Sequence, residues 1–206
     1  MLDSVADIVA SVQRTAQHMQ LPYVKDAVVR EGIGLSSAEQ IVRLYGDGVD
    51  LSEFRQNFER FYFENSGENT TPSAFEGAEA LLHQALKYGY SLAISTGKGR
   101  AGLDAHLQAL GWQDLFSVTC CADEFESKPS PKMLAHISNV LSCDLSDLMM
   151  VGDSQFDLLM AQNAGAQYVG VLTGVGDREQ LGLYEPLLLL DSVSDLKGYL
   201  VNRVSE

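Results

Sequence analysis

The sequence predicts an α/β protein, a doubly wound parallel sheet preceded by an α-helical lobe. Two observations carry this. The first 70 residues show helical hydrophobic spacing without a convincing strand, and from Phe75 onward short β-rich runs alternate with helices. A third observation supports them: at 206 residues and 46% hydrophobic content, the chain can bury a substantial core without disulfides or structural metal.

In order, SVADIVASVQRTAQHM places Val5, Ile8, Val9, Val12 and Ala16 at helical spacing, and Ser4 with Asp7 resembles a capping box. A short helix near residues 24–31 is closed by Gly32 and Gly34, and Ser36 or Ser37 can cap a third, AEQIVRLYG. A fourth, DLSEFRQNFERFYFENSG, puts Phe54, Phe58, Phe61 and Tyr62 on one apolar face, a stripe that reads as core. The polar run SGENTTPS looks like a linker, dividing a helical domain (1–70, including the first core helix) from an α/β domain (71–206). Beyond it follow the helix GAEALLHQALKYG, strand SLAIS, a helix around LDAHLQALG, strand FSVTCC, helix PKMLAHISNVLS, strand LMMVG, helix FDLLMAQNAG, strand YVGVL and a late LLLL run.

Charge and composition narrow the function. Fourteen basic against 28 acidic residues give a net charge of −14, which repels a phosphate backbone and argues against nucleic-acid partners. No apolar run approaches the roughly 20 residues that span a bilayer, so no membrane role is expected. Cys120, Cys121 and Cys143 are odd in number and lack CxxC spacing, pointing to reduced thiols and a cytoplasmic location, with a homodimer as a possible assembly. The start of the chain lacks the layout of a signal peptide.

In an open parallel sheet, ligands bind beyond the carboxyl ends of the strands, where this chain reads STGKGR, ADEFESKP, GDSQFD and TGVGD. GKGRAG, residues 97–102, is a literal GxGxxG with Asp123 and Glu124 downstream, the pattern of a dinucleotide site. A P-loop is excluded, because Leu92 stands where its first glycine belongs and Gly99 where Ser or Thr should follow Lys98. The competing constellation joins three strand ends. Asp153 and Asp157, one helical turn apart, suit a hard cation such as Mg²⁺, although the same spacing also serves helix capping. Lys128, held extended before Pro129, supplies a point charge for a phosphate, and Thr96 with the backbone N–H groups of Gly97 and Lys98 offers an anion cradle at a helix start.

Thr96 after an apolar strand, Lys128 in KPSP, and GDSQFD closing on AQNAG together resemble motifs two, three and four of the haloacid dehalogenase superfamily, in its phosphoglycolate-phosphatase-like branch. The resemblance implies a Rossmann-like core with an inserted α-helical cap and Mg²⁺-dependent hydrolysis of a small phosphorylated metabolite. It implies that Thr96 bonds the transferring phosphoryl group, Lys128 neutralises it, Asp153 ligates Mg²⁺ with support from Asp157, and Arg30 and the IGLSS segment select substrate from the cap. A catalytically silent ligand- or protein-binding member of the same fold is the alternative from another functional class.

In this family the first helix follows a central strand ending in DxDGT, whose aspartates are the nucleophile and the general acid/base. Met1-Leu2-Asp3-Ser4 looks like the tail of that segment, so the strand is expected upstream of Met1. Its place would be between the SLAIS and LMMVG strands. Without it the chain is expected to be inactive; either those two strands close together, another segment or chain fills the gap, or the sequence is a fragment.

Overall fold

The computed structural model describes residues 1–66 and 73–204. Helix α1 (Val5–His18) buries Val5, Val9, Val12 and Ala16, the positions its spacing marked as apolar. Ser4 precedes it but makes no side-chain cap, so the predicted capping box with Asp7 does not form; the Ser4 hydroxyl bonds the Tyr62 phenol instead. Helices α2 (Asp26–Glu31), α3 (Ser37–Tyr45) and α4 (Leu51–Ser66) complete the helical lobe. Ser36 caps α3 by accepting the Glu39 N–H at 3.2 Å. Val9, Val12, Val29, Ile41 and Phe54 form the core of this lobe, and Phe61 and Tyr62 are also buried, as the aromatic stripe predicts. The expected domain boundary at 70/71 lies outside the described residues.

The α/β part follows in the predicted order: α5 (Ala78–Lys87), β1 (Ala93–Thr96), α6 (Arg100–Leu110), β2 (Val118–Cys121), α7 (Lys132–Leu141), β3 (Met149–Gly152), α8 (Gln155–Ala164), β4 (Gln167–Val171), α9 (Arg178–Gly182), β5 (Leu188–Leu190) and α10 (Leu196–Val204). Every strand pair is parallel, but the strands form two sheets: β1 with β2, and β3-β4-β5. The two halves lie in one layer. Ile94 of β1 and Val151 of β3 pack with α5, α6 and α10 on one face, while Ala93 and Met150 pack with α7 and α8 on the other. This is the three-layer arrangement that buried parallel strands require.

Strands β1 and β3 do not pair with each other. All four residues of β1 and Met149–Val151 of β3 are only half-buried, whereas Cys120 and Cys121 of β2 and Val169 of β4 are fully buried. The two strands therefore present unpaired edges between the same helical layers, and of the alternatives read from the sequence, direct closure is the one that does not occur.

At the junction of the lobes, residues 1–3 run antiparallel to residues 73–75. Asp3 N–H donates to Ser73 O at 2.8 Å and Phe75 N–H to Met1 O at 2.9 Å, around a Leu2–Ala74 bridge. This short ladder joins the start of α1 to the segment that leads into α5. Among the described residues no helix is long and apolar enough to cross a membrane.

Phe54 is 2% exposed in the core of the helical lobe, its ring tilted 41° against that of Tyr45. Phe54→Ala is expected to cost about 3–5 kcal/mol, read as a lower midpoint in chemical denaturation with a well-separated single transition.

Candidate active site

Three loops at the carboxyl ends of β1, β2 and β3 meet around one lysine. Lys128, on the loop after β2, is 5% exposed. Its Nζ donates to the backbone oxygen of Ser95 in β1 at 2.9 Å and to Asp157 Oδ1 at 2.5 Å. The lysine thereby ties the end of β1 to the start of α8 across the unpaired edges.

Asp157 is held for this task by its own helix. Ser154 caps α8, its Oγ accepting from Asp157 N–H at 3.3 Å, while Asp157 Oδ2 accepts from Ser154 N–H at 3.2 Å and Oγ at 2.7 Å, a complete capping box. The helix passes so close to the end of β3 that a Cβ on Gly152 would fall 2.2 Å from the Cβ of Asp157. Asp157 thus commits both oxygens to Lys128 and Ser154. It acts behind the site, whereas the sequence also allowed it a place as a direct metal ligand.

Asp153 takes the forward position. Its Oδ2 accepts the Val175 N–H at 2.9 Å, and its backbone oxygen accepts the Gly176 N–H at 2.8 Å. A Cβ on Gly174, which has φ +152°, would come 1.8 Å from Oδ2, so the TGVGD turn closes tightly around the carboxylate. Burial, followed by the neighbouring Asp157 charge, pushes the Asp153 carboxyl above its ordinary pKa, against the opposing pull of the Val175 N–H, the Met1 amino group and Lys128. Asp153 Oδ1 accepts no hydrogen bond among the described residues, and Thr173 Oγ1 on the same turn is buried without a partner. A desolvated carboxylate with an open oxygen beside an orphaned hydroxyl fits a hard cation. No cluster of three or more His, Cys, Asp or Glu side chains able to hold a metal occurs among the described residues.

The end of β1 supplies Thr96, whose hydroxyl accepts the Lys98 N–H at 3.2 Å. The start of α6 behaves differently from the dinucleotide reading. Arg100 N–H donates to Asp123 Oδ1 and Oδ2 at 3.1 and 3.0 Å, and the Arg100 side chain is clamped by Glu124 at 2.7 and 2.8 Å and by Thr119 O at 2.9 Å. The helix start where a pyrophosphate would sit already carries a carboxylate. The acids that spacing assigned to a ribose are a cap and an ion-pair partner, so GKGRAG is not arranged as a dinucleotide site.

The IGLSS segment of the helical lobe lies directly over the three loops. A Cβ on Gly97 would meet Leu35 O at 2.4 Å and Gly34 O at 2.8 Å; a Cβ on Gly34 (φ +116°) would meet Ser154 Oγ at 2.8 Å. Ser36 N–H donates to Ser127 Oγ at 2.8 Å. One lobe segment therefore touches the loops after β1, β2 and β3. Arg30, on α2, is exposed and joins none of these contacts among the described residues. Sequence reasoning did not single out Ser127, Ser154 or the Ser95 carbonyl; the TGVGD turn was visible only as a strand end.

The fold and the site together define a hydrolase-type doubly wound protein with an α-helical lobe closed over a lysine–carboxylate centre. The family model for haloacid dehalogenase-like hydrolases matches residues 1–171. The chain belongs to this family. Among relatives, it is 30% identical over 208 residues to the phosphoglycolate phosphatase of Vibrio parahaemolyticus, covering 95% of this chain and 90% of that one. It is also 30% identical over 183 residues to the phosphoglycolate phosphatase of Neisseria meningitidis, covering 85% and 77%. In fold it is similar to a hydrolase from Pseudomonas syringae, with a TM-score of 0.86 at 21% identity over 98% of this chain and 93% of that one.

Because the raised pKa of Asp153 makes its ionised form the strained one, its stability cost is absent below the ordinary carboxylate range, grows as pH rises from there toward the folded pKa, and is complete above it. Asp153→Asn is expected to melt higher than the unsubstituted protein at pH 7, with the difference shrinking as pH falls toward 4. Melting curves across that range check it.

Proposed function

We propose that this chain is the phosphoryl-binding body of a Mg²⁺-dependent phosphatase acting on a small phosphorylated metabolite. The observation that carries the reading is the Lys128 amine, buried between Ser95 O and Asp157 at the meeting point of three strand ends. A cation there, in a protein of net charge −14, gives a phosphoryl group one of the few places it can be neutralised. The phosphatase relatives support the same chemistry.

On this reading Thr96 Oγ1 donates to a phosphoryl oxygen, with the Gly97–Lys98 backbone beside it, and Lys128 offsets the charge of the group and of the attacking oxygen. Asp157 keeps Lys128 in place. Asp153 would hold Mg²⁺, which supplies Lewis-acid charge neutralisation to the phosphoryl oxygens. The IGLSS segment excludes water and limits substrate size. The attacking carboxylate, on the family resemblance, belongs to an extended strand hydrogen-bonded between β1 and β3, the opening that both unpaired edges face. The 206 residues alone then bind phosphoryl compounds without turning them over. A cytoplasmic location is part of the same reading, supported by three free cysteines of which Cys120 and Cys121 are buried.

The test is phosphate release from a panel of small phosphomonoesters with Mg²⁺, comparing this chain with a form preceded by a DxDGT strand. Turnover is expected only in the second form, falling at least 100-fold with Asp153→Ala or Lys128→Met. Absence of turnover in both forms across the panel, or equal turnover in both, contradicts the proposal.

A further inference from the structure

Ser95 is a polar residue on an apolar strand face. Side chains alternate along β1, so Ser95 shares the direction of Ala93, into the layer of α7 and α8. There it meets the sulfur atoms of Met133 and Met160, two side chains that are fully buried. Its hydroxyl donates to Met133 Sδ at 3.0 Å, with Met160 Sδ a second acceptor at 3.5 Å. Among the described residues it has no other acceptor. Thioether sulfur is a weak acceptor, so the hydroxyl recovers little of what it loses on leaving water. An alanine would fill this place at lower cost.

The two sulfurs belong to particular helices. Met133 lies in the first turn of α7, the helix that follows the Lys128 loop, and Met160 lies on α8, the helix that follows Asp153 and carries Asp157. The carbonyl of the same serine accepts Lys128 Nζ at 2.9 Å, and Thr96 is the next residue in the chain. One residue thus bonds the lysine through its backbone and, through its side chain, both helices behind the lysine–aspartate pair.

We infer that Ser95 is a positioning residue for Lys128: its hydroxyl fixes the end of β1 against α7 and α8, and so keeps the Ser95 carbonyl where Lys128 donates. The inference rests on the phosphoryl site proposed above and adds a residue behind it. Groups that do chemistry have to be held to within about 0.5 Å by the side chains that support them. A directional bond to sulfur, though weak, restrains the strand end against sliding; a methyl group in its place does not. The cost of the hydroxyl to the fold and its use at the site then have opposite signs. Its removal leaves the protein at least as stable, because an unbonded thioether loses nothing, yet it frees Lys128.

The experiment has two arms. In the first, this chain is labelled with ¹⁵N-lysine and exchange of the ammonium protons with water is followed by NMR, beside thermal melting. Lys128 should exchange more slowly than the exposed Lys25 and Lys87. Ser95→Ala should speed Lys128 exchange about tenfold or more without lowering the melting temperature, and Ser95→Thr, which keeps a hydroxyl, should restore slow exchange. In the second, the form preceded by a DxDGT strand is assayed with Mg²⁺: Ser95→Ala should lower kcat about tenfold or more while KM stays within about twofold, and Ser95→Thr should recover it. Lys128 exchange as fast as that of Lys25, or unchanged by Ser95→Ala, overturns the inference. So does faster exchange with a lower melting temperature, which marks general loosening, or an unaltered kcat in Ser95→Ala. If the extended form turns over no phosphomonoester, the phosphatase reading fails by itself, and the exchange arm alone decides whether Ser95 positions Lys128.

Discussion

The buried pair of Lys128 and Asp157 is the constraint on which the site depends. A lysine and an aspartate this far from solvent are tolerable only because they are paired: two of the three ammonium N–H groups go to Ser95 O and Asp157, and the carboxylate is held by Lys128 and by the capping box of α8. Their geometry fixes other choices. Gly152 must lack a side chain for α8 to approach, and Ser154 must be able to cap. Since β1 and β3 exchange no ladder bonds, the lysine is a charged link between the two halves of the sheet at their carboxyl ends.

Asp153 shows the complementary logic. Its neighbour Asp157 is neutralised by a lysine, whereas Asp153 is left with one backbone N–H, an open oxygen and a raised pKa. Two carboxylates four residues apart are set apart by their partners, one paired with a buried lysine and one held by a single backbone N–H. Over both lies the lobe segment from Ile33 to Ser36, held by close backbone approach at Gly97 and one hydrogen bond to Ser127. A single net hydrogen bond is worth only about 1 kcal/mol, so this cover is held mainly by close packing.

Much of this was legible in the sequence, because strand ends in a parallel sheet are where function collects and the runs after β1, β2 and β3 were chemically distinctive. Thr96, Lys128, Asp153 and Asp157 were singled out by type and position. What escaped was partner choice. Ser4 looked like a cap and instead serves Tyr62; Asp123 and Glu124 looked like ribose ligands and instead hold Arg100. Ser, Asp and Glu have local and long-range options of similar worth, and only the packing of α4 or β2 decides between them. The contact of Ser36 with Ser127 joins residues 91 positions apart and leaves no periodic trace in the chain.

The most direct measurement is a double-mutant cycle on stability with Lys128→Met and Asp157→Leu. If the pair is the buried link described here, each single substitution strands a charge and costs about 3–5 kcal/mol, while the double substitution costs far less than the sum. Single costs below about 1 kcal/mol, or costs that simply add, would show that the two side chains are solvated independently and that the strand ends are held together by something else.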